Sequence, residues 1–141
     1  MNDAGAQRIL AAAIAARRGA YAPYSRFAVG AAILGKDGKL FIGANVENVS
    51  YGASMCAERV ALFSAVAAGT RTFDTIAIAG PDTLVVTPCG ACRQALAEFN
   101  SDIKIVYRVN AQIRSVSLSA MLPEAFSPAS VASALAGRDA I

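Results

Sequence analysis

This chain has no histidine and only three cysteines. An odd number of cysteines makes a poor disulfide framework, and without imidazole any metal site must be built from sulfur or oxygen. Charged residues are scarce, at 16% of the chain, and the basic ones are scattered, with Arg17-Arg18 the only adjacent pair. The net charge of +3 therefore gathers into no polyanion-binding stripe, and a nucleic-acid partner is not expected. The longest unbroken apolar run, residues 9–16, is mostly alanine and far too short to span a bilayer, which excludes a membrane partner. Residues 1–8 show no cluster of positive charge followed by an apolar core and a cleavage site. A cytoplasmic protein is expected, in a compartment that keeps thiols reduced. Internal repeats and low-complexity linkers are also missing.

What is present is apolar. At 141 residues the chain fits one domain, residues 1–141, in which residues 128–141 form a tail without diagnostic features. Hydrophobic residues make up 55% of it, high for a small domain whose surface should be proportionally polar. The excess points to apolar faces buried against other subunits.

The pattern of apolar and turn-forming residues predicts helices over 6–19, 56–68 and 88–99, the first two stopping at Gly19 and Gly69 and the third opening on Pro88. Strands are expected over 27–34 and 40–46, joined by a hairpin turn at Asp37-Gly38, then over 75–79, 103–109 and 115–118. Strands alternating with helices give an α/β fold class, three layers (α-β-α) around a mixed sheet.

The three cysteines all fall in two short segments, Cys56-Ala57-Glu58 and Pro88-Cys89-Gly90-Ala91-Cys92. Three thiolates fill three corners of a tetrahedral zinc site and leave the fourth open for water, as a catalytic zinc requires. A closed structural zinc would need a fourth ligand, and a carboxylate is an unusual addition to three sulfurs, so Glu58 is left free to handle protons. Cys89 and Cys92, three residues apart, share one helix face. Cys56 and Glu58, two apart, converge only where the chain enters its helix. Both segments then aim helix N-termini at the metal, favouring thiolate over thiol. Three thiolates leave a net negative charge on zinc, and Arg59 is a candidate to compensate it by donating to the sulfurs. By itself Arg59 reads equally well as a solvated helix arginine.

These residues resemble the zinc-dependent nucleoside and nucleobase deaminases, whose signature combines His or Cys, any residue and Glu with a Pro-Cys-x-x-Cys. Further segments narrow the resemblance to the small homotetrameric cytidine deaminases: Tyr21-Ala22-Pro23-Tyr24-Ser25-Arg26-Phe27-Ala28-Val29-Gly30-Ala31-Ala32, Asn45-Val46-Glu47-Asn48, Cys56-Ala57-Glu58-Arg59, Pro88-Cys89-Gly90-Ala91-Cys92-Arg93-Gln94 and Leu122-Pro123-Glu124-Ala125-Phe126. Ala44 and Val60 depart from that family's usual cysteine and threonine. The resemblance implies one zinc per subunit on Cys56, Cys89 and Cys92, and hydrolytic deamination of cytidine and 2′-deoxycytidine in pyrimidine salvage. Glu58 would take the proton from water, deliver it to N3 and later protonate the departing ammonia. It further implies that Asn45 and Glu47 grip the ribose, that Phe27 stacks on the base, and that the Ala57 N–H meets the base edge. Tyr51 and Phe126 would complete the pocket of a neighbouring subunit. On residue type alone, Asn45 and Glu47 could simply close a strand, Phe27 could be core, and Tyr51 and Phe126 could be ordinary aromatics.

Other readings remain open at this level. One is a deaminase for a modified cytosine nucleoside or another amino-heterocycle, although the Asn45/Glu47 pair favours a free nucleoside over a polymer. Another is a zinc protein that binds nucleosides without turning them over, for which Glu58 would have no use.

Overall fold

The computed structural model describes residues 3–136 and builds them around one five-stranded sheet. Residues 1–2, part of the stretch examined for a secretion signal, and 137–141 of the expected tail lie outside the described residues. Helix α1 (Asp3–Ala16) leads to strands β1 (Gly30–Gly35) and β2 (Leu40–Ala44), helix α2 (Ala57–Ala67), strand β3 (Phe73–Ala79), helix α3 (Gly90–Ala97), strands β4 (Lys104–Val109) and β5 (Gln112–Ser117), and helices α4 (Leu118–Met121) and α5 (Pro128–Leu135). The sheet order is β2-β1-β3-β4-β5. Only β3 and β4 run parallel; the other neighbours are antiparallel, so the sheet is mixed, as the sequence predicts.

Side-chain alternation along the central strands sets the layers. Ala32, Ala77, Ala79 and Val106 face α1, where small side chains let the helix approach closely. Ile33, Ile76, Ile78 and Ile105 point the other way, into a larger core with α2 and α3, and each is essentially fully buried. Two glycines permit the closest helix–strand approaches. A Cβ on Gly30 would lie 2.0 Å from the Ala13 carbonyl oxygen, and one on Gly43 would lie 2.4 Å from the Ala61 nitrogen and 2.5 Å from the Ala57 oxygen. Because α2 sits directly on Gly43, the height of its first turn above the sheet is fixed there.

The β1–β2 hairpin turns at Asp37-Gly38, with Gly38 at φ +84°. Asp37 accepts from the Lys39 N–H at 3.0 Å and the Thr70 hydroxyl at 2.8 Å, which ties the turn to the end of α2. The Lys39 amide and the Thr70 hydroxyl hold the Asp37 carboxyl below its usual range.

Several boundaries differ from the sequence reading. Strand β1 starts at Gly30 rather than residue 27, since the Asn45 side chain takes up the Val29 N–H and the Phe27 carbonyl that a ladder would use. Pro88 precedes α3 instead of opening it: Cys89 is the extended N-cap residue and helix begins at Gly90. Strand β5 starts at Gln112, three residues earlier than expected, because Asn110 adopts φ +56° and closes a tight turn. After β5, two helices follow for which the sequence reading named no element. Ser117 caps the first, and a Ser127–Ser130 capping box with Pro128 starts the second.

Gly43→Ala should destabilise the protein by about 1–3 kcal/mol in a urea titration, through overpacking against α2. Gly52→Ala, where an added Cβ meets nothing within 4 Å, should change stability by less than about 0.5 kcal/mol.

Candidate active site

Helices α2 and α3 meet the same face of the sheet, and their N-termini converge. Cys56 is the N-cap of α2 and Cys89 the N-cap of α3, each with extended backbone, while Cys92 lies one turn into α3 and is fully buried. The three Sγ atoms lie within 4.8 Å of one another, and Cys56 and Cys89 are 3.8 Å apart. A tetrahedral site with metal–sulfur bonds of about 2.3 Å places its sulfurs about 3.8 Å apart, so the donor set suits zinc in both chemistry and spacing. They form the one such metal-ligating cluster among the described residues.

The charge around the sulfurs is arranged for thiolates. Arg59 Nη2 donates to Cys56 Sγ at 3.6 Å, while its buried Nε has no protein partner. Contact with Cys92 and with the Arg59 guanidinium lowers the Cys56 thiol to about 5. Cys92, hydrogen-bonded to Cys56 and buried, shifts upward, and the guanidinium facing both sulfurs is held more firmly protonated than usual. The geometry thus favours the compensating role for Arg59 over a solvated one.

Glu58, one residue into α2, is 4% exposed. Burial, reinforced by the negative charge on Cys56, raises its carboxyl to about 7. A carboxyl poised there holds or releases a proton near neutral pH, the requirement for general acid–base catalysis. Ala57, the first residue of the helix, has an N–H with no acceptor inside the helix.

A cavity of about 360 Å³ opens in front of these groups. Cys56, Ala57, Glu58 and Cys89 form one side of its lining, and Phe27, Asn45 and Glu47 are brought to the same cavity. Glu47 accepts from the Tyr24 and Ser25 N–H groups at 3.0 and 3.1 Å. Ser25, through its hydroxyl and amide, together with the Tyr24 amide, keeps the Glu47 carboxyl below its usual range, so it stays ionised. Asn45 donates to the Phe27 carbonyl and accepts from the Val29 N–H, each at 2.8 Å. Both residues therefore fix the 24–29 segment that carries Phe27, in addition to facing the cavity.

Tyr51 and Phe126 are not brought there. Tyr51 is 74% exposed and packs edge-on against Tyr24, with ring centroids 5.7 Å apart, in a neighbouring recess that shares Ser25 and Glu47 with the cavity. Phe126 is 67% exposed and lines neither space. The sequence reading overlooked Val86 and Thr87, which complete the cavity wall just ahead of Pro88. Thr87 adjoins the Pro-Cys pair and could have been suspected from that; Val86 carries no signal of its own.

This geometry predicts about one zinc per chain by elemental analysis. Cys92→Ala should reduce zinc to a small fraction, whereas Asn45→Ala should retain it. The sequence profile for the zinc-binding region of cytidine and deoxycytidylate deaminases matches residues 4–109. The cytidine deaminase of Halalkalibacterium halodurans is 50% identical over 122 residues, covering 85% of this chain and 92% of that protein. Among solved structures, the cytidine deaminase of Burkholderia pseudomallei superposes with a TM-score of 0.82 at 47% identity, covering 89% of this chain and 100% of that one. That of Mycobacterium tuberculosis gives 0.78 at 39% identity, with 89% and 98% covered. A matched region that contains all three cysteines and Glu58, with relatives this similar along most of their length, shows that the chain belongs to the cytidine and deoxycytidylate deaminase family.

Proposed function

We propose that the protein hydrolyses cytidine and 2′-deoxycytidine to uridine and 2′-deoxyuridine with release of ammonia, returning pyrimidine nucleosides to use in the cytoplasm, where its thiols stay reduced. The observation that carries this reading is one cavity lined by Glu58 and two of the three clustered cysteines, Cys56 and Cys89, together with Phe27, Asn45 and Glu47. Cys56, Cys89 and Cys92 would hold zinc, which when bound supplies a Lewis acid able to make water acidic near neutral pH.

The chain's own residues account for the rest. Glu58 removes a proton from water as the water oxygen bonds to C4 and delivers it to N3 of the pyrimidine; it then takes the proton of the new C4 hydroxyl and passes it to the amine as the C4–N bond breaks, so that no isolated charge builds up on the ring. The Ala57 N–H, unpaired at the helix start, is placed to donate to the base edge. Phe27, partly buried against the core, offers a ring face to the base. Glu47 keeps Oε2 for a ribose hydroxyl, because Oε1 takes the two backbone bonds. Asn45 has one amide hydrogen left for a second.

Tyr51 and Phe126, both outside the cavity of their own subunit, would complete that of a neighbour in a homotetramer. The exposed Tyr21, Ile42, Val46 and Val49 supply apolar surface for such contacts. Full activity in a species with the mass of one 14.5 kDa chain, measured by light scattering, would contradict shared sites.

Cytidine should yield uridine and ammonia in equal amounts. In Glu47→Ala, kcat/KM for cytidine should fall about 10- to 100-fold, the loss expected for a charged hydrogen bond. It should fall less for 2′,3′-dideoxycytidine, which lacks the 2′- and 3′-hydroxyls and keeps only the 5′ one. Equal losses on both substrates would confine Glu47 to holding the 24–25 turn.

A further inference from the structure

Helix α3 carries two zinc-ligand candidates, and its next two residues also reach outward to a distant segment. Arg93 Nε donates to the Pro88 carbonyl at 2.9 Å and Nη1 to the Met121 carbonyl at 3.1 Å. Gln94 Nε2 donates to the Phe126 carbonyl at 2.7 Å. The 121–126 segment is thus gripped at both ends by adjacent residues of one helix. Between the grips, Pro123 has a restricted φ and Glu124 sits at φ +52°, a conformation that side chains other than glycine seldom adopt. Leu122 and Ala125 pack on the core, yet the Phe126 ring points away from it. Just beyond, the Ser127–Ser130 capping box fixes the chain again. An unusual backbone turn, held by side chains on both flanks, presents one large apolar ring to the outside.

We propose that Gln94 is a positioning residue for substrate binding in a neighbouring subunit: by holding the Phe126 main chain, it sets the direction in which the Phe126 ring leaves its own subunit. This inference depends on the reading of Phe126 as a shared-site residue. Gln94 itself touches no substrate. It acts on a residue 32 positions along the chain, to which one hydrogen bond joins it.

A double-mutant cycle tests it, with cytidine KM, kcat, zinc content and particle mass measured for each protein. Gln94→Leu should raise KM about three- to tenfold, as expected for loss of one hydrogen bond, and leave kcat, zinc and mass unchanged. Phe126→Ala should raise KM at least as much, and the double variant should be no worse than Phe126→Ala alone. Gln94→Lys, which keeps a donor at this position, should restore most of the affinity. Independent, multiplying losses in the double variant would overturn the inference, as would an unchanged KM in Gln94→Leu beside a raised KM in Phe126→Ala. Loss of zinc or altered mass in both Gln94→Leu and the milder Gln94→Met would make Gln94 a structural residue of α3 and also overturn it. An unchanged KM in Phe126→Ala would reject the shared site itself, and this inference with it.

Discussion

Three sulfur atoms that repel one another once ionised must be held within 4.8 Å, and the rest of the structure is organised to allow this. Two of them sit at helix N-caps, where free N–H groups and the positive end of the helix dipole favour thiolate. Arg59 adds a full positive charge beside Cys56. The helices cannot separate to relieve the repulsion, because both are packed into one apolar core. Ala57, Ala61, Leu62 and Leu96 are buried there against Ile33, Ile76 and Ile105. Gly43 brings the first turns of α2 down onto the edge strand. Burial of apolar surface thus does the work of holding a charged cluster that would otherwise disperse.

The same packing prepares Glu58. Its place one residue into α2 puts its carboxyl in the buried layer, where desolvation raises it to about 7, while Cys56, two residues earlier, is lowered to about 5. Two acidic groups in one short segment thus exchange their usual order of acidity, the thiol becoming the stronger acid and the carboxyl the weaker. Asn45 and Glu47 both line the cavity and brace its wall. Their backbone bonds to residues 24–29 fix Phe27 in front of the cysteine cluster.

Much of this was visible in the sequence because local chemistry dominates it. The Cys-x-Glu and Pro-Cys-x-x-Cys spacings, the Asp37-Gly38 turn and the Gly69 stop each act through neighbours a few residues away. The differences arise where distant side chains intervene. Asn45 displaces the start of β1 by taking the Phe27 and Val29 backbone groups. The N-cap role of Cys89 and the Arg93 bond to the Pro88 carbonyl move the start of α3 past the proline. Asn110 closes the β4–β5 turn earlier than its apolar neighbours suggest, because asparagine tolerates a left-handed backbone. Val86 enters the cavity wall only through tertiary folding, and Tyr51 and Phe126 stay exposed, outside the cavity of their own chain.

The most direct test of this account is to compare cytidine turnover and zinc content in the wild-type protein and Glu58→Gln. The amide keeps the shape of the side chain and removes its ability to carry a proton, so turnover should fall by at least about 100- to 10,000-fold with zinc retained at one per chain. A variant that keeps its zinc and still deaminates cytidine at near the wild-type rate would contradict the assignment of proton transfer to Glu58.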